Sequence, residues 1–547
     1  MKHALIILAA LLLIPPTALC ADADTKTLRV FIFAGQSNME GADSKVKDIK
    51  RFPPFVGLDA PQEGILFSYN IGREEKQTSG GWVALQPVGK TVGPELSFAR
   101  RVAQVTGAPV AIIKCAAGGT TLGGDWNPDA PSGFRLYPLA LELVRSSLAE
   151  LDKKKIPYRL EGFMWHQGEN DMFSKEFKPT YGANLKTFLA SWRRDLKTPG
   201  LKFYIGELCT KTIWGMDNRE PMYAIRAGQK AVTDADPLAE YIPTSHDAVE
   251  IGGGEGLHYH YGTLGQLEHG VNYADACLRT IGKKSAERPL KTWPYAEGSA
   301  VKLFVLAGHR NMEGERAFTQ ELKALAGKES LANDDGSIAF KYSLGGGFKK
   351  SNGWEPLGPA GPYDTFGPEL SFAHTLKGQV AGSIAIAKFT HSGSQMNDWT
   401  PQGTDAKERN LFPQFIAFIR DSMKELQTKG HEVELAGVFY HVGENDMSFY
   451  PYRKEAAKWL QSTVAGSRED LALPALKWFV SQQPPTDEKG LNRMDVTANF
   501  AALAAADPAL IHLKAFSGPS QEEKLVITTA GIVALGELLA RGYLEHR

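Results

Sequence analysis

Cysteine is scarce, with only Cys20, Cys115, Cys209 and Cys277 in 547 residues and no close pair among them. That spacing excludes a disulfide framework and a cysteine-built zinc site, and it leaves Cys115, Cys209 and Cys277 the role of small buried hydrophobes. An excess of either charge is also missing. The 61 basic and 62 acidic residues give a formal net charge of -1, and nothing in that balance points to nucleic acid or an acidic membrane surface as a partner. Long apolar runs are absent beyond Ala4 to Ile14, which is shorter than the roughly 20 residues a spanning helix needs. Lys2 and His3 precede that run and small residues follow around Ala18 and Ala21, so residues 1–21 read as a signal peptide of a secreted or periplasmic protein. Lipid anchoring at Cys20 is the rival, disfavoured by the bulky Leu19 before it.

What is present is alternation. Val30 to Phe33, Pro109 to Cys115, Leu160 to Trp165, Leu201 to Leu208 and Tyr241 to Thr244 read as buried strands. Amphipathic stretches lie between them. Leu185, Phe188, Leu189 and Trp192, for example, fall on one helical face. Strands alternating with helices imply an α/β fold with a parallel sheet covered on both sides.

The pattern then repeats. Gly35-Gln36-Ser37-Asn38-Met39-Glu40-Gly41 returns as Gly308-His309-Arg310-Asn311-Met312-Glu313-Gly314, Gly93 to Ala99 as Gly367 to Ala373, and His166 to Met172 as His441 to Met447. So constant an offset means a duplicated domain. The expected division is a first domain over 26–283, a linker over 284–299 and a second domain over 300–547.

Gly35 to Met39, Gly118-Gly119-Thr120, Trp165-His166-Gln167-Gly168-Glu169 and Glu255-Gly256-Leu257-His258 together resemble the carbohydrate-esterase branch of the SGNH hydrolases. That group includes sialate O-acetylesterases and acetylxylan esterases. The resemblance spans the first domain and implies a three-layer, flavodoxin-like α/β/α sandwich in each copy. It also implies an acetylated carbohydrate as substrate and no cofactor or metal.

Ester hydrolysis needs a nucleophile, a base and donors for the oxyanion. Ser37, at the end of the first buried strand, is the candidate nucleophile, and an N-cap serine is the plainer alternative. His258 is the candidate base, with His260 and His269 close by. Glu255 stands where the family pattern Asp-x-x-His has aspartate, which leaves Asp247 or a Ser-His dyad open as alternatives. The Ser37 N–H is one oxyanion donor by its place at the turn. The resemblance adds the Gly119 N–H and the Gln167 side chain. Glu169 and Glu95 read as structural. Gln36, Trp126 and Arg226, with Gln229, are candidates to line a sugar site.

In the second copy Arg310 replaces Ser37, His309 replaces Gln36 and Val442 replaces Gln167. Matching Gly262 to Gly531 sets Lys524 to Ile527 against Glu255 to His258, without acid or histidine. The second domain is therefore expected to be non-catalytic. It either stabilises the first or uses Arg310 to bind an acidic sugar. A carbohydrate-binding protein without catalysis is the alternative reading of the whole chain.

Overall fold

The computed structural model describes residues 26–547 apart from 74–75, 211, 214–215, 249–258, 284–287, 405–408, 443, 449, 483–496, 514–515, 517–520 and 523–525. The expected signal peptide and Cys20 lie outside the described residues. Among those described, no helix is long and apolar enough to cross a membrane.

The first sheet is built from β1 (Leu28–Gly35), β2 (Gln62–Ile71), β3 (Val110–Ala116), β4 (Tyr158–His166), β5 (Lys202–Gly206) and β6 (Ala239–Ile242). These six run parallel in the order β6-β5-β4-β1-β3-β2, and two short antiparallel strands pair with β2. β1 is central and wholly buried, as its unbroken apolar run requires. Its period-two alternation divides the core. Val30, Ile32 and Ala34 face helices α2 (Leu136–Lys153) and α3 (Phe177–Asp195), whereas Phe31 and Phe33 face α1 (Glu95–Thr106) and the later helix Gly262–Thr280. On that second face Phe98 meets both phenylalanines edge-on, with centroids 4.9 and 5.0 Å away. A sheet with a packed core on each face is the three-layer sandwich, and α4 (Arg219–Ala235) and α5 (Gly262–Thr280) complete its layers.

The second sheet repeats the plan with β7 (Ala300–Gly308), β8 (Asp335–Leu344), β9 (Ser383–Thr390), β10 (Glu432–His441), β11 (Trp478–Ser481) and β12 (Leu510–His512), in the order β12-β11-β10-β7-β9-β8. Its two cores again lie on opposite faces of the central strand. Even a buried ion pair is duplicated: Lys114 to Glu95 and Lys388 to Glu369, each at 2.7 Å. Glu95 therefore has a structural place beside the turn that follows β1, where Lys114 Nζ also donates to Glu40 O at 3.4 Å.

The repeat corrects one register. A Cβ on Gly270 would meet Pro94 O and Ser97 Oγ, and one on Gly536 would meet Pro368 O and Ser371 Oγ. Gly270 therefore corresponds to Gly536, and Gly265, not Gly262, to Gly531. The same register makes Ile527, whose N–H donates to Asn311 Oδ1, the counterpart of Tyr261, whose N–H donates to Asn38 Oδ1. Val526 thus stands in the place of His260.

Candidate active site

β1 ends at Gly35, whose φ of +155° and closeness to β4 exclude a side chain: a Cβ there would lie 2.1 Å from His166 O. The chain then enters a single helical turn, Ser37–Glu40, closed by Gly41 at φ 107°. Ser37 opens that turn and is 7% exposed, so its hydroxyl sits at the carboxyl edge of the sheet with limited access to solvent.

An imidazole meets it there. His260 Nε2 lies 3.0 Å from Ser37 Oγ, and His260 Nδ1 lies 2.6 Å from Asp43 Oδ2. Asn38 fixes the segment that brings this ring in. Its Nδ2 donates to Tyr259 O at 3.2 Å, its Oδ1 accepts from Tyr261 N at 3.3 Å, and Nδ2 also donates to Glu169 Oε1 at 2.6 Å. The residue after the serine thus holds both neighbours of the histidine. For Glu169, burial raises the pKa, but the hydrogen bond and charge of His166, with the Asn38 amide, leave it below the ordinary value.

The turn after β3 comes up beside the serine. A Cβ on Gly118 would lie 3.3 Å from Ser37 Cβ, and the Gly118 N–H donates to Glu40 Oε2 at 2.8 Å. Gly119 follows in the left-handed conformation, φ +72°. The Ser37 and Gly119 N–H groups have no acceptor among the described residues, the state an oxyanion donor needs.

Gln167 is placed differently from the expectation. Its Nε2 donates to Thr120 O at 3.0 Å and to Asp171 Oδ2 at 2.5 Å. Both amide hydrogens are engaged in bracing the turn, so Gln167 has none for an oxyanion.

Glu255 and His258 lie outside the described residues. Asp247 is buried against Asn272 and Tyr363, at 2.7 and 2.8 Å, and not against His260. None of the three sugar-lining candidates faces solvent. Trp126 is core, edge-on to Trp165 at 5.2 Å, because its indole N–H finds Thr120 Oγ1 inside the fold. Arg226 is buried because Glu207 neutralises it at 2.8 Å and Leu208 O accepts from its Nε. Gln36 is fully buried. Gln229 likewise serves backbone, donating to Gly206 O.

The duplication held a signal for Asp43. Its counterpart is Arg316, at the same offset as Ser37 and Arg310, so the serine and the acid changed together. Arg310 itself is buried, bonded to Glu315 and to Asn445 Oδ1, and is closed to an external carboxylate. Among the described residues no group of three or more His, Cys, Asp or Glu side chains is disposed to hold a metal ion.

A family model described as "Carbohydrate esterase, sialic acid-specific acetylesterase" matches residues 27–279 and again 300–545. Solved structures similar to the chain include an Arabidopsis thaliana protein at 20% identity, covering 46% of this chain and 98% of its own, TM-score 0.35. They also include NanS at 15% identity, covering 48% and 100%, TM-score 0.36. A carbohydrate acetylesterase from Xanthomonas citri matches at 18% identity, covering 48% and 58%, TM-score 0.33. No curated protein matches the sequence.

Proposed function

Because the chain belongs to the sialic acid-specific acetylesterase family of carbohydrate esterases, we propose that its first domain removes acetyl groups from sugar hydroxyls through Ser37. The observation that carries this reading is the hydrogen-bonded row Ser37 Oγ, His260, Asp43, at 3.0 and 2.6 Å. His260 Nε2 takes the Ser37 proton as Oγ attacks the acetyl carbon. The oxyanion forms toward the Ser37 and Gly119 N–H groups. His260 then gives its proton to the departing sugar oxygen, and water, activated by the same ring, releases acetate and restores Ser37. Asp43 holds the Nδ1–H tautomer and stabilises the imidazolium.

A second reading keeps Ser37 but assigns the base to His258 and the acid to Glu255, favoured by the Glu255-Gly256-Leu257-His258 pattern. The two readings part at one histidine against the other. The second domain, with Arg310, Arg316 and Val526 in place of serine, acid and histidine, is read as non-catalytic. The amino-terminal segment is read as a secretion signal, which an intact-mass measurement of mature protein checks.

The substrate reading is an acetylated acidic sugar of the sialic acid class. The exposed Arg73 guanidinium supports it, since its Nη1 lies 3.1 Å from where a Cβ on Gly119 would stand. A guanidinium at the mouth of the site suits a sugar carboxylate. The test is acetate release from O-acetylated sialic acid and from acetylated xylo-oligosaccharides by the wild type, Ser37→Ala and Arg73→Ala. Loss in Ser37→Ala, with a raised KM for the acidic sugar alone in Arg73→Ala, supports the proposal. An undiminished rate in Ser37→Ala, or no acetate release by the wild type, refutes it, and the latter favours the carbohydrate-binding alternative.

A further inference from the structure

The second domain keeps the turn that in the first domain faces Ser37, yet here the turn faces protein. Ser392-Gly393-Ser394 corresponds to Gly118-Gly119-Thr120. A Cβ on Gly393 would fall 1.4 Å from Ser245 O of the first domain, and Ser392 Oγ donates to His246 O at 2.5 Å. The Phe348 ring stacks on His246 with centroids 3.7 Å apart. The Tyr363 hydroxyl lies 2.9 Å from His246 Nε2, 2.8 Å from Asp247 Oδ1 and 2.6 Å from Asn272 Oδ1. Tyr363 reaches this place from a left-handed backbone, φ 58°, which residues other than glycine seldom adopt. The retired pocket is filled by Ser245 to Asp247.

That loop is coupled to the candidate base. Thr244 Oγ1 and Tyr261 OH lie 2.6 Å apart, and Tyr261 adjoins His260. Glu207 accepts from the N–H groups of Thr244 and Ser245, at 2.9 and 3.1 Å. On the far side Asn38 grips Tyr259 and Tyr261. The ring that meets Ser37 is thus suspended between the serine's own turn and a loop clasped by the second domain.

We propose that the second domain is a positioning partner of the first: Tyr363, Phe348 and Ser392 hold Ser245 to Asp247, and through Thr244 and Tyr261 they fix where His260 meets Ser37. The inference rests on the reading of Ser37 and His260 given above. Its physical basis is that misplacing a catalytic group by about 1 Å costs up to about a hundredfold in rate.

The test uses full-length protein with three variants: Tyr363→Phe, which removes one hydroxyl, Ser392→Ala, which removes another, and Tyr452→Leu. The last breaks a contact between the domains elsewhere, where Arg219 lies 4.4 Å from the Tyr452 ring. The readouts are kcat and KM on an acetyl ester, the rate of Ser37 capture by a fluorophosphonate, and the melting temperature. Tyr363→Phe should lower kcat and the capture rate together by about tenfold, with KM unchanged. Ser392→Ala should do so to a smaller extent, and Tyr452→Leu should lower the melting temperature without lowering kcat. Wild-type capture with undiminished kcat in Tyr363→Phe and Ser392→Ala overturns the inference alone. An equal kcat loss in Tyr452→Leu overturns it too, since general loosening would then suffice. No capture at Ser37 in the wild type overturns the underlying reading of the site.

Discussion

Acidification from pH 7 to pH 5 should weaken the contact between the two domains through His246. This ring is buried against Phe348 and Tyr363. Burial pushes its pKa down to about 3, against the smaller opposing effects of Glu207 and the Asn272 hydrogen bond. In the unfolded chain the same ring titrates near 6.5. Between those values the unfolded state binds the extra proton, so stability is full above pH 6.5 and is lost as pH falls. At about 1.4 kcal/mol per pH unit, the loss by pH 5 is about 2 kcal/mol. For a domain of about 250 residues that corresponds to roughly 4 to 8 °C in melting temperature. Other groups titrate in the same window, so the assay compares urea unfolding of the wild type and His246→Gln at both pH values. The wild type should lose about 2 kcal/mol more than the variant. Equal losses in the two proteins would refute the argument that His246 is held neutral at the junction.

Asp43→Asn should lower kcat by about ten- to a hundredfold with little change in KM. That is less than for a buried triad acid, because Asp43 is largely exposed and its charge is screened. Steady-state kinetics on an acetyl ester check it. Gly35→Ala should destabilise the first domain by about 3 kcal/mol or more, since the new Cβ would meet His166 O at 2.1 Å, as read by urea unfolding. Cys115 and Cys277 are buried and burial pushes both thiols up to about 12. Peptide mapping after treatment with a thiol reagent at pH 8 should find both unlabelled in native protein and labelled after denaturation.

The fold was legible where a single physical signal dominated. Val30 to Phe33 announced a strand buried on both faces, and the offset between copies announced the duplication. β2 was not, because Gln62–Ile71 opens on exposed polar residues and then buries Ser68 beside Phe67, which gives no clean period. Within the site, the nucleophile position follows from a strand ending at a glycine that no other residue could replace. That His260 meets Ser37 does not follow from spacing. In the structure His260 is set by the Asn38 clamp, a contact across 221 residues of chain. The Asp-x-x-His pattern does not point to Asp43, because this acid sits six residues after the serine and not beside the histidine. Trp126 and Arg226 read as sugar-site candidates by type, but the partners that bury them, Thr120 and Glu207, become visible only once the strand ends are brought together.

The most direct test of the account is acetyl-ester hydrolysis by His260→Ala beside His258→Ala, each with its rate of fluorophosphonate capture at Ser37. Losing the base should cost His260→Ala about a hundredfold or more in kcat and slow capture to match, while His258→Ala keeps most of both. The opposite pattern, with His258→Ala inactive and His260→Ala near wild type, would contradict the Ser37–His260–Asp43 assignment and return the base to His258.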